Sequence, residues 1–314
     1  MSDSILSSLR RRAGLPELLP LLAEQLSLSE LNSLLLDVFH RRAQRLSPAA
    51  LLAAYRQNRF VRPSAVDAVA FRRFELLWME SARDRGFVPR ELSPLAPLGS
   101  CSVVGTVHQH KVLSATRGTE VVADATNVLA LESSVQRQAA AFPREPLQYC
   151  AVHRHVRTQS LHFPGFTPHF SVFCLTTAGR DTGHFEFERT QLTRHIDLYL
   201  NLLRDRLEQR QVKILLKALD PDQGENPLFE EIRDHFGMQF PQTEIAIERM
   251  PQSAQRYYQA LQFGLLWEYR GHPYPIADGG FTSWTQQLTG NRKERFLSSG
   301  IGLELMWKLL NGML

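Results

Sequence analysis

The chain has 314 residues, 43% hydrophobic and 22% charged, which is enough for a large core plus an appended region. With 36 Lys and Arg against 32 Asp and Glu the net charge is +4, a mild excess that permits nucleic-acid contact without arguing for it. The 3 cysteines, Cys101, Cys150 and Cys174, lie at no metal-ligand spacing, and no apolar run approaches the ~18–20 residues of a membrane span, so a zinc module, a disulfide scaffold and a transmembrane protein are excluded and a reducing cytoplasm is expected.

Residues 1–66 read as a helical N-terminal region. Stretches 15–26 and 27–46 carry apolar residues at helical spacing, Ser29 with Glu30 opening the second, and Pro48 after Ser47 opens a third helix. Arg10, Arg11, Arg12, Arg41, Arg42, Arg45, Arg56, Arg59 and Arg62 bias this region positive, as solvated helix faces or as a nucleic-acid or partner surface. A long helix over 64–85 turns Val66, Val69, Phe71, Phe74, Leu77 and Trp78 toward a core and stops at Gly86. The segment 87–99 is extended and broken by prolines, Pro94 among them.

Residues 102–114 alternate as strands do, and 118–123 form another strand. Asp124 and Thr126 then open a helix, and both suit N-terminal capping. The stretch 147–179 reads as strand, loop and strand, with Pro164-Gly165 in the loop. The following helix groups Leu192, Ile196, Tyr199 and Leu203 on one face, 212–220 is a short apolar strand and 226–237 a helix. A strand follows Tyr257-Tyr258, a second carries Gly279-Gly280, and a small-residue strand over 298–304 leads into a terminal helix starting near Leu305. His108, His110, His153, His155, His162, His169 and His184 crowd the middle of the chain, but no helical ligand pair or Cys/His framework accompanies them, so no metal site is expected.

Three of these segments resemble, in order, the signature motifs of the class II aminoacyl-tRNA synthetases, over residues 67–314. The helix, turn and proline-containing strand of 67–98 are similar to motif 1, which implies a homodimer interface there. The strand pair resembles motif 2, Phe-Arg-x-Glu, a loop, then Arg/His-x-x-x-Phe: Arg154 falls on the arginine that contacts the α-phosphate and the amino-acid carboxylate, and His169 and Phe173 on the adenine-binding half. His153 stands where the motif has Phe and Val156 where it has Glu. Gly300, Gly302 and Glu304 match motif 3, Gly-x-Gly-x-Glu-Arg, but Leu305 replaces the arginine that holds the ATP triphosphate.

The nearest likeness is to the histidyl branch and the regulatory subunit of ATP phosphoribosyltransferase. It implies that Asp124 and Thr126 hold a ligand's α-amino group, a role compatible with capping, and that Tyr257, Tyr258, Gly279, Gly280, Gly300 and Gly302 border the pocket. Leu175 and Gly179 replace the branch's Gln and Glu, Ser253 replaces its catalytic arginine, and Arg256 is out of register. The pyrrolysyl branch, which also ends after motif 3 and has helices in front, matches less well.

The resemblance implies an α+β fold: a mostly antiparallel sheet flanked by helices, with the helical N-terminal region at 1–66 and the synthetase-like core at 67–314. It implies a regulatory paralogue that binds an amino-acid-like small molecule at a degenerate ATP site and reports to a partner protein. An active amino-acid:AMP ligase using ATP with Mg2+ and a tRNA or other acceptor is the alternative, with Arg154 as catalytic residue and Arg292, Lys293 or Arg295 replacing Leu305. A nucleic-acid-binding accessory dimer is a third reading.

Overall fold

The computed structural model describes residues 2–14, 16–159, 164–204, 206, 211–219, 227–249 and 257–314; His162, Ser253 and Arg256 lie outside them. The N-terminal region is helical: α1 (Ser2–Ala13), α2 (Leu18–Pro20) running into a π-helical turn at Leu21–Gln25, α3 (Leu28–Ala43) and α4 (Pro48–Gln57). Ser27, not Ser29, caps α3: its hydroxyl accepts from the Glu30 amide at 3.3 Å while the Glu30 carboxylate accepts from the Ser27 amide at 2.8 Å, satisfying two end groups of the helix. Ser47 accepts from the Ala50 amide at 3.1 Å to start α4, with Pro48 at the first position. Neither α3 nor α4 buries a residue.

The next helix, α5 (Ala68–Asp84), opens on Asp67, which accepts from the Ala70 amide at 2.8 Å. Its buried stripe is Phe71, Phe74, Glu75, Trp78 and Ala82, and the large apolar members each contribute roughly 1.5–3 kcal/mol by burial. Val69 falls off that stripe and is 65% exposed, because its position lies about half a turn from Phe71 around the helix. Gly86, at φ 87°, ends the helix in the left-handed conformation that glycine adopts without strain.

The remaining elements follow in order: β1 (Val88–Pro89), β2 (Leu95–Pro97), β3 (Ser114–Ala115), β4 (Thr119–Val121), α6 (Ala125–Ala139), β5 (Leu147–Val156), β6 (His169–Arg180), α7 (Glu186–Arg204), β7 (Val212–Ala218), α8 (Pro227–Gln239), β8 (Glu244–Arg249), β9 (Gln259–Tyr269), β10 (His272–Thr282), α9 (Trp284–Thr289), β11 (Glu294–Ile301) and α10 (Leu303–Leu310). Among the described residues the main sheet has 8 strands in the order β1-β5-β6-β11-β10-β9-β7-β8, and β2-β4-β3 form a small sheet beside it. Only the outer pairs β1–β5 and β7–β8 of the main sheet run parallel, so it is mostly antiparallel.

The region 102–114 differs from the sequence reading. Instead of strands it holds a π-helical turn at Ser100–Val104, a 3-10 turn at Gln109–Lys111 and the short β3. Glu120 is the cause. Fully buried, its carboxylate accepts from the amides of Gly99 and Cys101 and from the Gln109 side chain, each at 2.9 Å, and these bonds curl the segment around one charge. The C-terminal strand likewise ends at Ile301, so Glu304 sits in the first turn of α10.

The two faces of the main sheet are covered differently. One packs against α5, α7, α8 and α10 through Trp78, Phe173, Tyr199, Phe236, Phe263 and Met306. The other carries α6, with Ala125 and Leu129 on Tyr149, Ala151, Val172 and Cys174. Beside α6 this second face is open.

Candidate functional site

The open face forms a cavity of about 920 Å³, floored by β6, β11, β10, β9 and β7, walled by the start of α6 and the β5–β6 hairpin, and roofed by the 105–111 loop. Asp124, Thr126, Tyr257, Tyr258, Gly300 and Gly302, all expected at the site, line it.

Asp124 does cap α6, and it does so at the cavity edge. One carboxylate oxygen accepts from the Thr126 amide at 3.0 Å and the Thr126 hydroxyl at 2.7 Å; the other accepts from the Tyr257 hydroxyl at 2.7 Å. Burial alone would raise its pKa, but the positive fields of His155 and Arg157 and the donors Thr126 and Tyr257 outweigh burial and hold the carboxyl below its ordinary value. At neutral pH that field is carried by Arg157, because burial pushes His155 down to about 3. The ring nitrogen Nε2 of His155 accepts from the Ala125 amide at 3.0 Å, which fixes the neutral tautomer with its proton on Nδ1.

The strand alternation decides which motif residues reach the cavity. Arg154 pairs across the strands with Ser171 and lies on the opposite face with it. There Glu304 accepts from Arg154 at 2.8 Å, from Ser64 at 2.6 Å and from Lys308 at 3.0 Å. His169 contacts Arg154 at 2.9 Å through Nδ1 and the Arg62 carbonyl at 2.6 Å through Nε2. Arg154, His169 and Glu304 are thus brought together, but outside the cavity. Phe173 is fully buried against Trp78 and Tyr199 and presents no face to a ligand. Leu175 lies in the same core, and a Cβ on Gly179 would collide with the Phe187 ring there.

The cavity side of the hairpin is instead built by residues that the motif comparison did not select. Arg157 lies just past the end of β5; its Nε donates to the Ala123 carbonyl at 3.2 Å, and its guanidinium sits 5.3 Å from the centre of the Phe170 ring. Gln159, Phe170 and Lys111 also line the cavity. Shifting the motif 2 pattern by three places aligns Val156-Arg157-Thr158-Gln159 with Phe-Arg-x-Glu, and Phe170 becomes the aromatic residue on the cavity side. The Arg-x-Gln spacing was the available signal.

Other expected residues have structural positions. Added Cβ atoms on Gly279 and Gly280 would collide with Ser299 and Phe263, and with Tyr258, respectively, so these glycines allow close packing rather than ligand approach. Arg295 is tied to Asp181 at 2.5 Å and Glu188 at 3.1 Å at the far end of β11, with Arg292 and Lys293 in the turn before it, so none of the three replaces a cation at Leu305. Leu305 itself lines the cavity. His108 and His110 meet edge to face at the 3-10 turn with ring centres 4.7 Å apart, and among the described residues no group of three His, Cys, Asp or Glu could hold a metal ion. No helix among the described residues is long and apolar enough to cross a membrane.

No family model matches the chain, and no curated protein has a matching sequence. Solved structures do match. The apo histidyl-tRNA synthetase of S. aureus aligns with a TM-score of 0.58 at 10% identity, over 78% of this chain and 66% of that one. An ATP phosphoribosyltransferase regulatory subunit/histidyl-tRNA synthetase from Bacillus halodurans C gives 0.60 at 12%, over 81% and 83%. The pyrrolysyl-tRNA synthetase of Desulfitobacterium hafniense gives 0.51 at 14%, over 83% and 74%. Across these identities the likeness is one of fold: the chain has the α+β, class II aminoacyl-tRNA synthetase-like architecture.

Proposed function

We propose that this chain is a class II synthetase paralogue that binds an amino-acid-like small molecule and acts as a regulatory subunit rather than an adenylating enzyme. One observation carries the reading: Asp124, ionised and surrounded by Thr126 and Tyr257, faces the same cavity as Arg157. Among the described residues neither charge has an opposite charge within ion-pair distance, so an ammonium and a carboxylate on one ligand would complement both.

The residues present do not fit a complete ATP–Mg2+ site. Arg157 and Phe170 suit an α-phosphate and an aromatic base. Glu304, however, is turned away and neutralised by Arg154 and Lys308, and Leu305 stands on the wall where the resemblance asks for a triphosphate-binding cation. A missing charged partner typically costs a few kcal/mol, about 100-fold in affinity.

Thermal unfolding of the full chain with individual amino acids and their des-amino analogues tests the binding. Stabilisation by an amino acid, absent with the des-amino analogue and lost in Asp124→Asn, supports it; equal effects of both compounds refute it. If Asp124→Asn does not fold, Tyr257→Phe replaces it, with weakened binding expected. The Arg157–Phe170 pair favours the ligase alternative. Amino-acid-dependent ATP–pyrophosphate exchange that disappears in Arg157→Ala would establish that alternative in place of the regulatory reading.

A further inference from the structure

The arrangement that suits an α-amino acid accounts for one end of the cavity only. Across the floor, on β10 and β9, stands a second carboxylate, Asp278, exposed to the cavity. One of its oxygens accepts from the Tyr258 hydroxyl at 3.0 Å, and among the described residues no cation lies within ion-pair distance of it. Lys217 also lines the cavity, but its ammonium is 3.9 Å from Glu248 on the neighbouring strand. Gln262 faces the cavity too. It is 8% exposed and its Oε1 has no hydrogen-bond partner. An acceptor left this way costs desolvation energy that a donor on a ligand would recover. Gly264 pairs with Asp278 across the strands, and a Cβ there would meet nothing nearer than the Ala277 carbonyl at 3.9 Å, so the floor beside Asp278 has room for a ligand chain.

We infer that the side-chain end of this cavity, formed by Asp278, Tyr258 and Gln262, selects a ligand with a second positive group: a basic α-amino acid whose terminal ammonium or guanidinium meets Asp278 and Gln262. The inference rests on the amino-acid reading above. Three unpaired charges would then be matched by three on the ligand: α-ammonium to Asp124, α-carboxylate to Arg157, side-chain cation to Asp278. Burial in the cavity floor and the field of Asp124 raise the pKa of Asp278, and the Tyr258 hydroxyl and the more remote charges of Arg157 and Lys217 relieve this only in part. A cation beside it would reverse that cost.

Calorimetric titration of the full chain with L-lysine, L-norleucine and Nε-acetyl-L-lysine tests this. Lysine is expected to bind roughly 10- to 100-fold more tightly than either neutral compound, the worth of a hydrogen-bonded charge pair. Asp278→Asn is expected to erase the difference. Equal binding of lysine and norleucine, equal binding of lysine and its acetylated form, or a lysine preference intact in Asp278→Asn overturns the inference while leaving the amino-acid reading in place. The acetyl-lysine arm needs no variant and decides the matter if Asp278→Asn fails to fold. If none of these amino acids binds, and no other does, the amino-acid reading falls and takes the inference with it.

Discussion

Arg154 and Glu304 meet at 2.8 Å on the face of the sheet turned away from the cavity, with Glu304 1% and Arg154 35% exposed in their side chains. Two residues placed by sequence pattern in an ATP site therefore spend their charges on each other, on Ser64 and on Lys308.

Arg154→Met is accordingly expected to lower stability by about 1–2 kcal/mol, because Glu304 keeps two of its three donors, and to leave ligand affinity unchanged. Arg157→Met is expected to do the reverse. Urea denaturation and ligand titration of both variants separate the roles, and a loss of binding confined to Arg154→Met would reject the assignment of faces.

Acid sensitivity follows from two buried histidines. His155 and His195 are both pushed by burial from 6.5 to about 3. In the unfolded chain they bind protons below about 6.5, whereas in the folded chain they stay neutral down to about 3. The stability they contribute is thus fully present above 6.5 and is lost as pH falls toward 3. Glu304, held below its ordinary 4.5 against burial by Ser64, Lys308 and Arg154, adds a loss that begins near 4.5. Urea midpoints across pH 7.5–4 are expected to fall steadily, and His195→Gln to flatten the slope by about one proton. A flat wild-type profile would contradict the burial of both rings.

Leu305→Arg tests the missing cation directly. The side chain projects from α10 into the cavity wall beside the β5–β6 hairpin, and ATP affinity is expected to rise about 10- to 100-fold. Fluorescent-nucleotide displacement measures it; an unchanged affinity would mean that the phosphate path lies elsewhere.

Gly279→Ala is expected to destabilise by about 1–3 kcal/mol through overpacking against Ser299 and Phe263, with ligand affinity in the folded fraction unaltered. A stable variant with impaired binding would return Gly279 to the site.

What the sequence disclosed depended on how local the signal was. Asp124 was readable because a cap is defined by its immediate neighbours, and its capping role and its place at the cavity edge coincide. The sheet and its flanking helices were readable because periodicity extends over many residues. Arg157 was not: between Arg154 and Arg157 the spacing is odd, so one phase of the strand faces the core and the other the cavity, and a loose four-residue pattern cannot choose between them. Phe173 and Phe170 were separated the same way. Asp278 was not legible because Tyr258 and Gln262 come near it only through the pairing of β9 with β10. The 102–114 loop was not readable because its shape depends on one buried carboxylate outside it, Glu120.

Helix α6 links the cavity to a buried ion pair at β11. Its N-cap residue Asp124 faces the cavity, and near its other end the fully buried Arg137 is locked to Glu294 at the start of β11, with a further bond to the Pro143 carbonyl at 3.2 Å. At 1.5 Å per residue the anchor lies about 20 Å from the carboxylate. Such a clamp at the foot opposes sliding or rolling of the helix, and a carboxylate positioned before its ligand arrives costs less of the binding energy to order. Loosening that foot would be felt as lost affinity at a residue no ligand touches.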